Sequence, residues 1–375
     1  MKVLITGANG FIGKNLQLHL RERKDVEVVH FLREHSPAQL ADMLRGVDVV
    51  FHLAGVNRPE DPAEFTTGNA DLTHALCEAV TAVAQAERRK ISMLHTSSIH
   101  ATADSPYGRS KRAAEEALMQ AGQHPLVSAH VFRLPNVFGK WSRPHYNSAV
   151  ATFCHNIARD LPIDVHNAQA ALSLVYVDDV LDRFLQLMDG ADPMIGPDGF
   201  STVHPQYTTT VGELAQWVRA FHQSRETLVT ERVGTGLVRA LYATYVSYLP
   251  VESFAYAVPR HEDRRGMFVE MLKTPDAGQF SFFTAHAGIT RGGHYHHSKT
   301  EKFLVIKGQA LFRFRHMQTG QTHELVTTGH EPQVVETVPG WTHDITNTGL
   351  DEMVVMLWAN EIFDRARPDT YNCPI

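Results

Sequence analysis

The spacing of apolar residues changes period once along the chain, and that change constrains the fold more than any other feature. Up to about residue 190, short β-branched runs alternate with longer helical patterns. The runs are KVLITG at residues 2–7, VEVVHFL from Val26, DVVFHLAG from Asp48, ISMLHTSS from Ile91 and LVSAHVFRL from Leu126, with helical spacing over 69–89 and 107–120 between them. Strands alternating with helices of this length need right-handed crossovers, which predicts a doubly wound parallel sheet that binds ligands at the carboxyl ends of its strands. From Phe254 the period falls to two, in MFVEML, QFSFFTA, EKFLVIKGQALFRFRH and EMVVMLWAN, separated by Gly, Thr and Pro turns. That predicts an all-β sandwich or jelly roll. Further helical patterns over 201–249, including VGELAQWVRAFHQ, are assigned to the first domain. The expected domains are therefore residues 1–249 and 250–375, with Pro250 and Pro259 bracketing the junction.

A chain of 375 residues fits two domains. Its 35 Lys and Arg against 41 Asp and Glu give a net charge of −6 and no electrostatic case for nucleic acid. No window approaches the roughly 18 unbroken apolar residues of a membrane span. The opening MKVLITGANGFIG lacks the features of a signal peptide, so a cytoplasmic protein is expected. Cys77, Cys154 and Cys373 show no CxxC spacing, which argues against a disulfide framework or a thiolate metal site. Histidine stands out, at 23 residues.

The first run leads straight into Thr6-Gly7-Ala8-Asn9-Gly10-Phe11-Ile12-Gly13 and a helical pattern. Glycines at 7, 10 and 13 permit a tight turn, close approach of backbone to a pyrophosphate and packing of helix on strand, while the helix start offers amide donors. After the second run stands Arg33, where an acidic residue would accept the ribose of NAD; an arginine there can pair with the 2′-phosphate of NADP, or be a solvated surface cation. Tyr107 and Lys111 lie four apart on one helix face, a spacing in which the ammonium favours phenolate and readies the tyrosine for proton exchange. The fourth run ends in Thr96-Ser97-Ser98, hydroxyl donors able to polarise a carbonyl.

The GxxGxxG loop, HLAG at residues 52–55, Asn69, Ser97 and Ser98, and the YxxxK pair together resemble an extended short-chain dehydrogenase/reductase, over about 245 residues. FRLPNVFG from Phe132 and LVYVDDV from Leu174 resemble the substrate-holding segments of nucleotide-sugar members. The resemblance implies a Rossmann-type fold, with Ser98, or alternatively Ser97, donating to the carbonyl, Tyr107 as proton donor and Lys111 holding tyrosine and nicotinamide ribose. It implies NADPH contacts at Gly7, Asn9, Gly10, Phe11, Ile12, Gly13, Arg33, Leu53, Ala54 and Gly55, and a substrate contact at Asn136. One departure is that Ser98 and Tyr107 stand only nine residues apart.

In the second half, Gly288, His294, His296, Glu301 and Gly308 match the cupin motif GxxxxxHxHxxxxExxxxxxG at every fixed position, and PGWTHDITN at 339–347 matches PGxxHxxxN. Three imidazoles and a carboxylate from neighbouring strands make a plausible site for zinc or another divalent transition metal. Asp263-Arg264-Arg265-Gly266-Met267-Phe268 and Arg291-Gly292-Gly293-His294 resemble the DxRGxF and RGxH segments of cupin-type epimerases of nucleotide 4-keto sugars. That resemblance implies His294 as base, Arg291 on the substrate, and His296, Glu301 and His343 on the metal; alternatively all four residues bind metal. Strand alternation turns His297 to the opposite face, as an exposed neighbour.

The whole chain resembles the bifunctional reductase–epimerases of UDP-N-acetyl-L-fucosamine biosynthesis, which serve capsular polysaccharide or O-antigen. The resemblance implies C3 epimerisation of a UDP-2-acetamido-2,6-dideoxy-4-hexulose followed by NADPH-dependent reduction to the L-talose sugar, with zinc and a homodimer. The rival expectation is a single-activity 4-keto sugar reductase whose cupin only dimerises it.

Overall fold

The five β-branched runs become five strands of one sheet: β1 (Lys2–Thr6), β2 (Glu27–Phe31), β3 (Val49–His52), β4 (Ile91–Ser98) and β5 (Val127–Leu134). The computed structural model describes residues 1–263, 266–269, 271–274, 278–361 and 364–375, with only backbone described over 260–263 and 266–269. The sheet order is β2-β1-β3-β4-β5 and every neighbouring pair is parallel. Strand order reverses beside β1, so the carboxyl ends of β1 and β3 form the switch point at which doubly wound sheets bind ligands.

Helix α1 (Phe11–Arg21) follows β1, helix Leu72–Glu87 follows β3 and helix Pro106–Ala121 follows β4. Leu4, Val50 and Met93 of the sheet pack with Leu76, Val80, Ala84 and Leu118 of those helices, all fully buried. Each such large aliphatic side chain contributes about 1.5–3 kcal/mol on burial. The helix expected to open at Asn69 is entered through a π-helical turn, Thr66–Asp71.

The period-two half builds two antiparallel five-stranded sheets, as its alternation predicts. One contains Gln279–Ala285, Met353–Ala359, Glu301–Lys307, Gln333–Glu336 and Ala255–Ala257 in spatial order. The other contains Thr322–Thr328, Gln309–His316, Trp341–Asn347, Thr290–Tyr295 and Tyr371–Asn372. Phe303 of the first sheet meets Phe312 of the second at 5.9 Å between ring centroids, so the inner faces share a core. This is a jelly roll of the cupin type.

The chain forms two packing units, and their division differs from the boundary read at 249/250. One unit comprises Met1–Val137 and Ser173–Thr208, the other Phe138–Leu172 and Thr209–Ile375. The helices Ala149–Ile157, Val211–Thr227 and Gly236–Ser247 therefore belong with the β-sheets. The physical reason is a buried ionic cluster. Glu336, on a strand, accepts from Lys302 of the next strand, from Arg225 of one helix and from the Tyr242 hydroxyl of another. A helix periodicity says that an apolar face exists, not which sheet it covers.

Candidate active site and metal centre

The glycine-rich loop packs closely against the loop that follows β3. Gly7 has φ +70°, and a Cβ added there would fall 2.5 Å from the Ala54 nitrogen, so the loops after β1 and β3 touch only because this residue is glycine. A Cβ on Gly13 would lie 2.2 Å from the Gly7 carbonyl, which locks the first turn of α1 against the loop. Gly10 is the extended N-cap of α1, without a capping side chain, and the first helical bond is Lys14 N–H to the Gly10 carbonyl at 2.9 Å. The amides of Phe11, Ile12 and Gly13 thus precede the helix's own bonding and are offered at its positive end. Asn9 and Gly10 are exposed, as are Gly55 and Arg33, which stands in the turn after β2. Leu53 and Ala54 are half-buried on the β3 side of the switch point.

A relay of hydroxyls and one imidazole underlies this switch point. The Ala54 amide donates to Thr6 Oγ1 at 3.1 Å, Thr6 meets His52 Nδ1 at 2.7 Å, His52 Nε2 meets Thr73 Oγ1 at 2.7 Å, and Thr73 donates to the Asn69 carbonyl at 2.6 Å. Satisfying every donor requires neutral His52 with its proton on Nε2, and burial lowers its pKa to about 3. Asn69 in turn holds the Val56 amide at 2.8 Å and donates to Ser110 at 3.0 Å. Thr6, Thr73 and Ser110 were not read from the sequence; the histidine of HLAG was the available signal.

At the end of β4 the two candidate serines separate. Ser97 is buried and donates to Glu115 at 2.5 Å, itself clamped by Arg133 at 2.7 Å, so its hydroxyl is committed to the interior. Ser98 Oγ accepts from the His100 amide at 3.2 Å, and the Ser98 hydroxyl stands close enough to Tyr107 to oppose the effect of burial on the phenol. Lys111 is buried, donates to the Thr96 carbonyl at 3.0 Å, and lies where a Cβ on Gly55 would come within 3.2 Å of Nζ. Burial lowers the Lys111 pKa to about 8. The expected lowering of Tyr107 by Lys111 is not realised: burial pushes the phenol up, and the hydrogen bond that opposes this comes from Ser98. Asn136 is exposed and its amide donates to the Ser173 carbonyl at 3.1 Å.

In the second unit, His294, His296, Glu301 and His343 converge between the two sheets, with one ligand atom from each lying within 4.8 Å of all the others. His296 Nε2 stands 3.0 Å from Glu301 Oε2, and His343 Nε2 stands 3.8 Å from the same oxygen. Although burial alone would raise Glu301, His296 and Lys299 hold its carboxyl below the ordinary range. His294 is half-buried while the other three are buried, and desolvation, aided by His296, lowers its pKa to about 4. Among the described residues the buried His343 Nε2 has no hydrogen-bond partner. An orphaned polar nitrogen beside a buried carboxylate is costly, and a divalent cation would satisfy it, so these residues fit a metal.

Arg291 is exposed on the strand that carries His294, with its guanidinium 5.0 Å from the Phe283 ring centroid and donating to the Thr284 carbonyl at 3.3 Å. His297 corrects the sequence reading: it is buried rather than exposed, because the strand ends at Tyr295 and His297 turns inward to meet the Tyr371 ring at 4.9 Å. In the DxRGxF segment, Arg264 and Arg265 lie outside the described residues, as does Glu270 of MFVEML. Among the described residues no helix is long and apolar enough to cross a membrane.

Two family models match the chain: the NAD dependent epimerase/dehydratase family over residues 3–198 and a polysaccharide biosynthesis C-terminal domain over 261–371. A protein of Pseudomonas aeruginosa named UDP-2-acetamido-2,6-beta-L-arabino-hexul-4-ose reductase is 60% identical over 375 residues, covering 100% of this chain and 99% of its own. The crystal structure of the capsular polysaccharide assembling protein CapF from Staphylococcus aureus is similar at 39% identity and a TM-score of 0.68, covering 100% of both chains. A second CapF structure, with the inhibitor 3-isopropenyl-tropolone, is similar at 35% identity and a TM-score of 0.62, again over 100% of both.

Proposed function

Because the chain belongs to the NAD dependent epimerase/dehydratase family and also carries the polysaccharide biosynthesis C-terminal domain, we propose that it is a bifunctional nucleotide-sugar reductase and epimerase. Its substrate is a UDP-2-acetamido-2,6-dideoxy-4-hexulose. The jelly roll epimerises carbon 3, and the parallel-sheet unit then reduces the 4-ketone to give UDP-2-acetamido-2,6-dideoxy-L-talose. The observation that carries this reading is the assembled set of Ser98, Tyr107 and Lys111 beside the glycine-rich loop. The Pseudomonas aeruginosa relative, named as a reductase of a UDP-2-acetamido-2,6-beta-L-arabino-hexul-4-ose, supports the substrate class.

NADPH, when bound, supplies the hydride to carbon 4. The loop of Gly7, Asn9, Gly10, Phe11, Ile12 and Gly13 would hold the pyrophosphate, and Arg33 would pair with the 2′-phosphate. Leu53, Ala54 and Gly55 would line the opposite wall, and Lys111, whose Nζ lies beside Gly55, would hold the ribose. Ser98 donates to the ketone, and Tyr107 delivers the proton to the oxygen at carbon 4 as it becomes a hydroxyl. Asn136 contacts the sugar nucleotide.

A ketone at carbon 4 acidifies the proton on carbon 3, because the charge left behind is delocalised as an enolate. His294, the least buried of the four converging residues, takes that proton, carbon 3 regains one from solvent on its opposite face so that its configuration inverts, and Arg291 on the same strand holds the substrate. A divalent metal, with zinc the first candidate, supplies positive charge near the enolate when held by His296, Glu301 and His343. Reduction removes the ketone and so ends the equilibration, which sets the order of the two steps. We assign the working protein to the cytoplasm, as a homodimer.

The test is the keto sugar supplied to the purified protein. NADPH oxidation that requires the sugar and yields a 4-hydroxy product is expected; no sugar-dependent oxidation would overturn the reading.

A further inference from the structure

We infer that Asp369 is the positioning residue of the jelly-roll centre: it fixes the ring orientation of His296 through its main chain and the loop that follows His296 through its side chain. This rests on the proposed metal site and goes beyond it. Neither motif in the second half of the sequence contains Asp369.

The Asp369 carbonyl accepts from His296 Nδ1 at 2.6 Å, which leaves Nε2 as the nitrogen facing Glu301. Such an outer acceptor selects one tautomer and one ring orientation of an imidazole ligand. The Asp369 carboxylate meanwhile accepts the three successive amides of His297, Ser298 and Lys299 at 2.9, 2.9 and 2.7 Å, and the Ser298 hydroxyl at 3.1 Å. These amides belong to the loop that joins His296 to Glu301, so one side chain sets the separation of two ligands.

Backbone geometry points the same way. Asp369 has φ +38°, in the left-handed region, which is uncommon for non-glycine residues and which Asp and Asn enter more readily than most. The adjoining residues reach the rest of the centre. Thr370 accepts from Lys299 Nζ at 2.8 Å, and that ammonium lies 3.6 Å from Glu301. Asn372 pairs with His294 in the sheet, and Thr342, next to His343, donates its hydroxyl to the Cys373 carbonyl. Residues 369–373 thus touch or adjoin all four converging side chains.

The test uses the full chain stripped of metal and titrated with Co²⁺ against a chromophoric chelator, with the visible bands of the bound ion recorded. Asp369→Ala should weaken Co²⁺ binding by about ten- to hundredfold and shift those bands. Asp369→Asn, which tolerates the left-handed backbone and keeps one acceptor oxygen, should recover most of the affinity. Circular dichroism and a single cooperative thermal unfolding transition of the same samples report that the chain has folded. If Asp369→Ala does not fold, the Asn variant decides, with a smaller but measurable weakening expected. Unchanged affinity and bands in the folded variants, or a lowered unfolding temperature with the Co²⁺ spectrum intact, would overturn the inference. Failure of the unsubstituted chain to bind Co²⁺ would overturn the metal site itself, and the inference with it.

Discussion

The two units both hold the groups proposed to react partly or wholly out of water, and they do so by opposite means. In the parallel-sheet unit the groups proposed to react are near neighbours in sequence: Ser98 ends β4, and Tyr107 and Lys111 share one face of the next helix. Each leans on a backbone group or a single neighbour, as Lys111 does on the Thr96 carbonyl at 3.0 Å. In the jelly roll, His294, His296, Glu301 and His343 come from both sheets, and they depend on one another and on Asp369 for orientation. The first arrangement can be altered one residue at a time. The second holds or fails as a unit, because removing one member leaves a buried charge or an unpaired imidazole.

This contrast can be broken most forcefully at Tyr107. Tyr107→Phe should lower NADPH oxidation by about 10²- to 10⁴-fold, the usual worth of a positioned general acid, while solvent deuterium still enters carbon 3 of the keto sugar. Loss of both reactions would mean that the units do not act separately. Glu301→Gln is the mirror experiment. It should lose bound metal, measured by elemental analysis, and abolish deuterium entry, while NADPH binding by fluorescence is retained.

Lys111 sharpens the comparison through pH. Its folded pKa, lowered from 10.5 to about 8, means that the ammonium is lost as pH rises through 8, so the reduction rate should fall above that point. The linkage runs the other way for stability. The charged form is disfavoured in the fold, so its burial opposes folding below about pH 8, and that cost fades as pH rises toward 10.5. Lys111→Met should therefore raise the unfolding temperature at pH 7 and abolish reduction, a trade of stability for function that calorimetry and an NADPH assay would expose together. The smallest expected effect is at Arg33: Arg33→Ala should weaken NADPH over NADH by about 1–3 kcal/mol, and an equal change for both cofactors would place Arg33 outside the cofactor site.

What was legible in the sequence follows the same contrast. The GxxGxxG loop, the YxxxK pair and all five parallel strands could be read because each depends on spacings of a few residues, which backbone geometry converts directly into position. The four converging residues of the jelly roll were legible for the same reason, as two compact motifs. Contacts that span the chain were not. Nothing in the spacing around Asp369 says that it will close over His296, nor that Arg225 of a helix and Lys302 of a strand will meet on Glu336. His297 was misread because alternation was continued past the end of its strand at Tyr295. Tyr107 was misread because helical proximity to Lys111 was taken as electrostatic coupling, whereas the ammonium turns to Thr96 and burial dominates.

The most direct measurement is proton NMR of the purified protein with a UDP-4-keto-6-deoxy-N-acetylhexosamine in deuterated water, with and without NADPH. Deuterium appearing at carbon 3 without NADPH, and a 4-hydroxy sugar forming only with it, is the predicted result. Reduction without any exchange at carbon 3 would contradict the account and leave the jelly roll without a reaction of its own.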